Sequence, residues 1–377
     1  MDPATEALLA EIRRWVEIET PTGHVPGLDA MMDLASAAYE AIGGIVTRIP
    51  GTLGQGDHLS IALPWTGSGH GDNRPGILVL SHLDTVHPVG TLAEALPFRV
   101  EGARAYGPGI ADMKGGAVIA LAALRAIHEA GGRTPLPVRV LLTSDEEIGS
   151  PTSRAPIEAE AARAAYVLVT EPARNGGKVV TARKGVSRYG LETRGRAAHS
   201  GNNHAEGRSA ILELARQIVT IEGRNGEMEG TTLNVGRITG GTTDNTVPDF
   251  ARARIDVRTP TAAAAEEIDA WLRTLRAVDP DVTLTLTGGP NRPPMERNAG
   301  VAALFDHASA LAAEIGFELE ETYSGGGSDG SFTAATVPTL DGLGVDGAKV
   351  HTHDEHLMVP SILPRMRLMR RLFETLA

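Results

Sequence analysis

The 377-residue sequence contains no cysteine. Disulfide bonds, thiolate metal sites and cysteine nucleophiles are therefore excluded, and any bound transition metal must be held by imidazole and carboxylate groups. Basic residues are also in the minority, because 47 acidic residues outnumber 35 lysines and arginines and give a net charge of −12. This balance argues against a nucleic-acid-binding protein, which needs a basic face for the phosphates.

Long hydrophobic runs are absent as well. No stretch approaches the roughly 20 apolar residues of a membrane-spanning helix, so we expect no membrane association. The N-terminal segment is charged and lacks the apolar stretch of a secretory signal, which predicts a cytoplasmic protein. Hydrophobic residues make up 42% of the chain and charged residues 22%. This composition is typical of a folded globular protein with a substantial core.

The length of the chain predicts two domains, with three as the alternative. Short apolar runs predict buried strands over 76–81, 138–143 and 165–170. Apolar residues at helical spacing predict helices over 5–18, 28–42, 116–130, 209–220, 262–278, 301–315 and 362–376. Strands that alternate with helices in this way indicate an α/β fold with a mostly parallel sheet between helical layers.

The pattern changes near Lys184. From there the chain reads as strand, helix, two alternating strands, helix and strand, which is the order of a ferredoxin-like α+β domain. We expect this inserted domain to span 184–293 and to end in a Pro-rich hinge over 288–294. The first domain would then consist of 1–183 and 294–377.

Acidic residues and histidines follow the predicted parallel strands at the points where those strands end, and further such groups lie before the long helix at 116–130 and after a short C-terminal strand. Open α/β sheets bind ligands outside the carboxyl ends of their strands. Each residue alone is weak evidence, since a single histidine is usually structural and an aspartate before a helix is usually an N-cap. The residues brought to this edge would be His82, Asp84, Asp112, Glu146, Glu147, Glu171, His351, His353 and His356.

Taken together, these groups predict a metal cluster, because burying so many charges without a cation is costly. In the absence of cysteine, zinc takes histidine nitrogen and carboxylate oxygen. Two metal ions need a bridging ligand, which a carboxylate can supply, and an unligated carboxylate nearby can carry protons to and from the reacting groups. Asp84 can accept the second ring N–H of His82 and fix its tautomer.

These residues lie in sequence blocks that resemble the co-catalytic zinc metallopeptidase and deacylase family. This family includes bacterial glutamate carboxypeptidase, acetylornithine deacetylase, succinyl-diaminopimelate desuccinylase and aminoacylases, and the resemblance is greatest to the first. It covers essentially the whole chain, and it implies a zinc-exopeptidase-like catalytic domain with an inserted lid and dimerisation domain. The matching blocks are 81–86 (SHLDTV), 107–116 (GPGIADMKGG), 143–150 (TSDEEIGS), 170–172 (TEP), 195–200 (GRAAHS) and 325–329 (GGGSD).

The resemblance implies two Zn²⁺ ions per chain, with Co²⁺ or Mn²⁺ as possible substitutes. His82 and Glu171 would hold one ion, Glu147 and His351 would hold the other, and Asp112 would bridge them. The catalytic base would be Glu146, with Asp84 supporting His82. In the C-terminal block His351 fits the family spacing best, and His353 remains the alternative.

Four further residues match positions that meet the substrate in this family. His199 would stabilise the oxyanion, either in its own chain or across a dimer. Asn245 and Arg258 would contact a substrate carboxylate, for which the fork of an arginine is suited. The loop around Gly326 would offer backbone N–H groups. The ordinary alternatives are a loop histidine, a turn asparagine, a surface-strand arginine and a flexible turn.

The sequence therefore predicts a di-zinc hydrolase that cleaves an amide bond in a small peptide or an N-acyl amino acid. Our first hypothesis is a carboxypeptidase that releases a C-terminal amino acid such as glutamate. The alternative is an N-acyl-amino-acid deacylase of the acetylornithine or succinyl-diaminopimelate type, and a weaker alternative is a non-catalytic binding protein on the same fold. We also expect a homodimer formed through the inserted domain.

Overall fold

The computed structural model describes residues 2–377. In that range the chain forms eight α-helices. Seven of them have bounds within a few residues of the predicted ones, and the eighth, Arg154–Ala161, was not predicted. The first begins at a proline and is capped by the side chain of Asp2, which accepts the N–H groups of Ala4 and Thr5. The helices are α1 Pro3–Val16, α2 Val25–Glu40, α3 Gly115–Glu129, α4 Arg154–Ala161, α5 Ala210–Glu222, α6 Ala262–Thr274, α7 Ala299–Ile315 and α8 Ile362–Thr375.

The strands fall into one six-stranded sheet, two four-stranded sheets and two short ribbons. In chain order they are β1 Ile45–Ile49, β2 His58–Leu63, β3 Gly76–His82, β4 Arg99–Glu101, β5 Arg104–Tyr106, β6 Val138–Thr143, β7 Ala164–Val169, β8 Val179–Arg183, β9 Gly185–Arg194, β10 Ala198–His199, β11 Thr232–Gly240, β12 Thr246–Val247, β13 Phe250–Thr259, β14 Thr283–Arg292, β15 Glu321–Ser324, β16 Thr339–Leu340, β17 Gly347–Ala348 and β18 His356–Met358.

The chain divides into two compact units. Unit 1 comprises 1–182, 297–323 and 328–377, and unit 2 comprises 183–296 together with 324–327. The short Gly-rich loop at 324–327 thus groups with unit 2, although it lies far from the rest of that unit in sequence.

Unit 1 is built on the six-stranded sheet, whose order is β1-β2-β6-β3-β7-β16. The four strands β6, β3, β7 and β16 run parallel, whereas β2 pairs with β6 in antiparallel fashion and β1 pairs with β2 in the same way. The predicted α/β class with a mostly parallel sheet is therefore confirmed. Every residue of β3 is buried, as expected for a central strand covered on both faces.

Alternate residues of these strands enter two different hydrophobic clusters, because successive side chains of a strand point to opposite faces. Ile77 and Val79 belong to the larger cluster, which includes residues of α1, α3, α7 and α8. Leu78 and Leu80 belong to a smaller one that includes Ile157 of α4. Helices therefore cover both faces of the sheet.

Unit 2 has the order β9-α5-β11-β13-α6-β14, and its antiparallel sheet is arranged β11-β13-β9-β14. This is the ferredoxin-like arrangement. The buried residues of β9 and β13 pack with α5 and α6 on one face of the sheet. One expectation was wrong: β14 continues to Arg292, so most of the Pro-rich stretch at 288–294 is strand and not a hinge. Its Pro290 is tolerated because β14 is an edge strand.

None of the helices formed by residues 2–377 combines the length and the apolar character that crossing a lipid bilayer requires.

Candidate active site

The carboxyl edge of the sheet in unit 1 brings together five of the residues predicted as metal ligands. His82 is the last residue of β3, and Glu147 and Glu171 follow the ends of β6 and β7. Because β3 pairs with both β6 and β7 in parallel, their ends meet at the same edge. The other two residues, Asp112 and His351, come from a turn before α3 and from the segment between β17 and β18.

Asp112 lies between the two histidines. Its Oδ1 is 3.1 Å from Nε2 of His82, and its Oδ2 is 3.3 Å from Nε2 of His351. The same nitrogen of His82 is 3.7 Å from Oε1 of Glu171, and that of His351 is 3.2 Å from Oε2 of Glu147. Oδ1 of Asp112 therefore lies with the side-chain atoms of His82 and Glu171, and Oδ2 lies with those of His351 and Glu147. The peptide bond that follows Asp112 is cis.

The three histidines of the C-terminal block occupy different surroundings. His351 alone contacts Asp112 and Glu147, although its side chain is 49% exposed. His353 is exposed, and its ring centre lies 6.4 Å from that of His87. His356 is buried in β18, where its Nδ1 lies 2.7 Å from the carbonyl oxygen of Asp354.

The charges of this cluster are strongly coupled. Hydrogen bonds that the His351 ring donates to the carboxylates of Asp112 and Glu147 raise the pKa of His351 to about 10. Burial by itself would lower the pKa of His82, but the carboxylates of Asp112 and Asp84 outweigh it and hold that pKa well above its usual value. Burial raises the pKa of Glu147 to about 7. The site thus favours positive charge on its nitrogen atoms and disfavours a further bare carboxylate.

Asp84 is fully buried and contacts several neighbours at once. Its Oδ1 and Oδ2 accept the backbone N–H groups of Glu146 and Glu147 at 3.1 and 3.2 Å. The ring Nδ1 of His82 is 3.0 Å from the backbone oxygen of Asp84 and 3.5 Å from its Oδ1. The carboxylate, which also accepts the hydroxyl of Thr22 at 2.7 Å, thus holds the Glu146–Glu147 turn, and the carbonyl group is the nearer partner of His82. This fixes the His82 tautomer with its proton on Nδ1.

Glu146 lies on the short turn directly after β6, beside Glu147. Ligand atoms of Glu146, His82 and Glu171 all fall within 4.8 Å of one another, as do those of His82, Asp112 and Glu147. Glu146 is thus adjacent to the cluster and is only partly buried, whereas the Glu171 side chain is almost completely buried.

Glu355 belongs to this site but is not among the residues that the sequence singled out. Its side chain is 1% exposed, and its Oε1 accepts the N–H groups of Ala111 and Asp112 at 3.0 and 3.1 Å. Its Oε2 accepts the N–H of Gly109 at 3.1 Å and lies 2.7 Å from Nε2 of His87. The sequence signal that could have identified this residue was an acid directly before the strand β18. It did not indicate which residues the acid contacts, because those backbone partners are more than 240 residues away in sequence.

The remaining predicted residues belong to unit 2. His199 pairs with Thr246 in a two-residue ribbon, and the backbone oxygen of Asn245 accepts the N–H of Ser200. The Nδ1 of His199 accepts the N–H groups of Gly201 and Asn202 at 3.1 Å. In its neutral form the ring therefore carries its proton on Nε2, which makes that exposed atom a hydrogen-bond donor.

Arg258 and Gly326 have local partners within unit 2. The guanidinium of Arg258 forms a two-point contact with Asp256 at 2.7 and 3.0 Å. The backbone oxygen of Gly326 accepts a hydrogen bond at 3.2 Å from Arg183, which is fully buried. The loop that carries Gly326 is thus held in unit 2 by a buried arginine.

Comparison with known proteins identifies the fold and the family. The model of peptidase family M20/M25/M40 matches residues 78–375. The chain belongs to this family. It is 33% identical to carboxypeptidase G2 of Pseudomonas sp. (strain RS-16) over 370 residues, which cover 95% of this chain and 86% of that protein. It is 31% identical to acetylornithine deacetylase of Myxococcus xanthus, covering 73% and 72% of the two chains.

The same fold is found in the aminopeptidase PepT of Bacillus cereus, with a TM-score of 0.79, 24% sequence identity and 98% of both chains covered. As a member of the M20/M25/M40 family, the protein is a hydrolytic enzyme of the metallopeptidase and amidohydrolase class. The family resemblance of the sequence blocks is thereby confirmed.

Proposed function

We propose that this family member is a di-zinc carboxypeptidase, which hydrolyses an amide bond next to a free carboxylate and releases an amino acid such as glutamate. The observation that carries this proposal is the 33% identity to carboxypeptidase G2 across 95% of the chain. It is joined by a site in which one carboxylate, Asp112, lies between two groups of potential metal ligands.

The donor atoms fit a pair of divalent ions. Ligands about 2.0–2.2 Å from a tetrahedral zinc lie roughly 3.3–3.6 Å from one another, and the distances of 3.1–3.7 Å within the cluster lie within about 0.2 Å of that range. The Oε1 of Glu147 is buried and has no hydrogen-bond partner among residues 2–377, and a cation would satisfy it. His82 and Glu171 would hold one ion, Glu147 and His351 the other, and Asp112 both.

Bound zinc ions would supply a water molecule of lowered pKa and would stabilise negative charge on the substrate oxygen. We assign the proton transfers to Glu146, whose carboxylate takes a proton from the attacking water and gives it to the leaving nitrogen. Asp84 orients this base through the backbone N–H of Glu146. The Nε2–H of His199 is proposed to donate a hydrogen bond to the developing oxyanion.

Substrate recognition is assigned to unit 2. Asn245, Arg258 and the loop around Gly326 are proposed to meet the free carboxylate of the substrate. For Arg258 this requires exchange of its partner, because the guanidinium is paired with Asp256. A homodimer through unit 2 and a cytoplasmic location remain part of the proposal.

The test is a substrate panel on the purified chain loaded with zinc. It should contain peptides and N-acyl derivatives that end in glutamate, matched peptides with an amidated C-terminus, and N-acetylornithine. We expect release of the C-terminal residue, loss of turnover when the C-terminus is amidated, and loss of all turnover with a chelator. Turnover of N-acetylornithine alone would overturn the carboxypeptidase assignment.

A deacylase of the acetylornithine type is the second candidate, because the chain is 31% identical to acetylornithine deacetylase. The metal ligands and the proton carrier would be the same in both enzymes. The two candidates differ in whether the scissile amide joins two amino acids or an acyl group and an amino acid. Comparison of kcat/KM for a peptide and an acyl derivative of the same amino acid distinguishes them.

A further inference from the structure

The sheet of unit 2 has one face without helices, and this face is rich in arginine. Tyr189 and Leu191 of β9 and Ala253 of β13 pack against the helices, so the residues that alternate with them point to the opposite, open face. Arg237 of β11 lies on the same face, because it is paired with an open-face residue of β13. The face therefore carries six arginines and two acids. This is a local excess of four positive charges in a chain whose net charge is −12. The arginines are Arg188, Arg194, Arg237, Arg252, Arg254 and Arg258, and the acids are Glu192 and Asp256.

Both acids have arginine partners that lie at the ends of the strands. Asp256 contacts Arg258 at 2.7 Å, and Glu192 contacts Arg194 at 3.4 Å. The guanidinium groups of Arg237 and Arg254 form neither an ion pair nor a hydrogen bond with any of residues 2–377. Positive charge at the centre of this face is therefore left without a protein partner.

The strand register places these two arginines against each other. Arg237 of β11 is the direct cross-strand partner of Arg254 of β13. Like charges in directly opposed positions destabilise an antiparallel pair. A β-bulge at Gly236 sets this register, and bulges commonly redirect a side chain beside a binding site. On the other side, Arg254 pairs with Gly190, which has no side chain to cover it.

Two adjoining cavities open on this face, and Arg237 and Arg254 line both of them. One has a volume of about 310 Å³ and is lined by Arg237, Arg252 and Arg254 with Ile238 and Thr239. The other has a volume of about 210 Å³ and is lined by Arg188, Arg237 and Arg254 with Gly236, Ile255 and Asp256, whose carboxylate is paired with Arg258. The pair thus stands where the two cavities meet.

We propose that this face is a binding site for a small anion that carries two or more oxyanion groups, either carboxylates or phosphates. The planar fork of each guanidinium matches such a group with two parallel hydrogen bonds, and the bound anion would offset the repulsion between Arg237 and Arg254. Charges on edge strands also discourage the addition of another strand, which would explain Arg237. Protection of an edge does not explain Arg252 and Arg254, because β13 is an interior strand.

The experiment is calorimetric titration of the full-length chain with tricarballylate and with diphosphate. It should be performed at low ionic strength and again at about 0.15 M salt, where screening shortens the reach of exposed charges to about 8 Å. The test variant is the pair Arg237→Gln and Arg254→Gln in one chain. The matched control is Arg216→Gln, which removes an arginine from α5 on the other side of the sheet.

At least one probe should bind to the wild type, bind more weakly in salt and bind at least about tenfold more weakly to the double variant, while the control behaves like the wild type. Binding of tricarballylate alone assigns the site to carboxylates, and binding of diphosphate alone assigns it to phosphates. Without ligand, the double variant should have a higher Tm, because the opposed charges are gone. The proposal is overturned if neither probe binds at low salt, or if both bind equally well to the double variant.

Discussion

The carboxylate of Glu355 accepts the backbone N–H of Asp112 at 3.1 Å, from a position that is almost completely buried. The same carboxylate accepts the N–H groups of Gly109 and Ala111, so it fixes the whole turn that presents Asp112 between His82 and His351. His87 contacts its second oxygen at 2.7 Å. A distant acid thereby sets the position of the residue proposed to bridge the two metal ions.

The substitution Glu355→Gln should weaken metal binding more than it weakens the fold. A glutamine has one acceptor oxygen and presents an amide N–H₂ where the other oxygen accepted hydrogen bonds, so at least one backbone N–H of the turn loses its partner. Changes to groups that orient metal ligands typically cost about 10–100-fold in metal affinity or activity. Competitive titration of zinc against a chelator measures the effect.

The matched control for Glu355 is Glu318→Gln, which alters an exposed glutamate of the same unit. Thermal unfolding of the metal-free proteins separates support of the ligand from support of the fold. Metal affinity and kcat within twofold of the wild type in the Glu355 variant would show that this contact does not position Asp112.

Variants of His351 and His353 test which of the two histidines is the last of the proposed metal ligands. His351 has a left-handed backbone with φ 63°, so the substitution should be His351→Asn, because asparagine tolerates that conformation better than most residues. We expect the purified variant to hold one metal ion per chain and His353→Asn to hold two. Atomic analysis after dialysis gives both values, and two ions in the His351 variant would remove this residue from the ligand set.

The parts of the fold that the sequence predicted are those set by local pattern. The continuous apolar runs of β3, β6 and β7 identified the parallel sheet, and their order placed His82, Glu147 and Glu171 at one edge. Where pairing between distant strands determines the structure, the local sequence patterns gave the wrong secondary structure. The Gly- and Pro-rich stretch at 288–294 pairs with β9 and becomes strand, because edge pairing supplies the hydrogen bonds that its composition disfavours.

The contacts that position the proposed metal ligands could not be predicted from the sequence either. The HLD sequence at 82–84 predicted a contact from the side chain of Asp84 to His82, but the nearer partner is the backbone carbonyl. Only the folded turn after β6 brings the N–H groups of Glu146 and Glu147 to the Asp84 carboxylate. Long-range pairs such as Glu355 with Asp112 follow from the packing of β18 against β5, which no periodicity reveals.

Substitutions of the neighbouring acids Glu146 and Glu147 should have different effects, one on the catalytic rate and the other on metal binding. Glu146→Gln removes the proposed proton carrier, and we expect kcat to fall by about 10²–10⁴-fold while both metal ions are retained. Glu147→Gln removes a proposed ligand, whose carboxylate lies 3.2 Å from His351, and we expect the loss of one ion. Steady-state kinetics and metal analysis of the two variants decide this. Loss of metal from the Glu146 variant would make Glu146 a ligand instead.

Gly116, near the start of α3, lies so close to a neighbouring strand end that a side chain does not fit there. A Cβ at this position would lie 2.0 Å from the backbone oxygen of Thr170, the residue just before Glu171. Gly116→Ala must therefore displace either the helix or the strand end that carries Glu171, with a cost of about 1–3 kcal/mol or more in the free energy of unfolding. Chemical denaturation measures it, and Gly325→Ala, whose Cβ would meet no atom within 4 Å, is the control. Equal stability of the two variants would contradict the close approach.

Complementation of two inactive variants should show which chain supplies His199. His199→Asn removes the Nε2–H donor, and Glu146→Gln removes the proposed base; each protein alone should have little activity. If His199 acts across a two-fold dimer, a mixed dimer has one site with both groups intact, since the two intact residues come from different chains. Equal amounts of the two variants, unfolded and refolded together, should then recover about a quarter of the wild-type activity, because half of the dimers are mixed and half of their sites are complete. If His199 acts within its own chain, every site in the mixture lacks one group and no activity returns. Mass measurement by light scattering must accompany the assay, because a single-chain mass would rule out supply across a dimer.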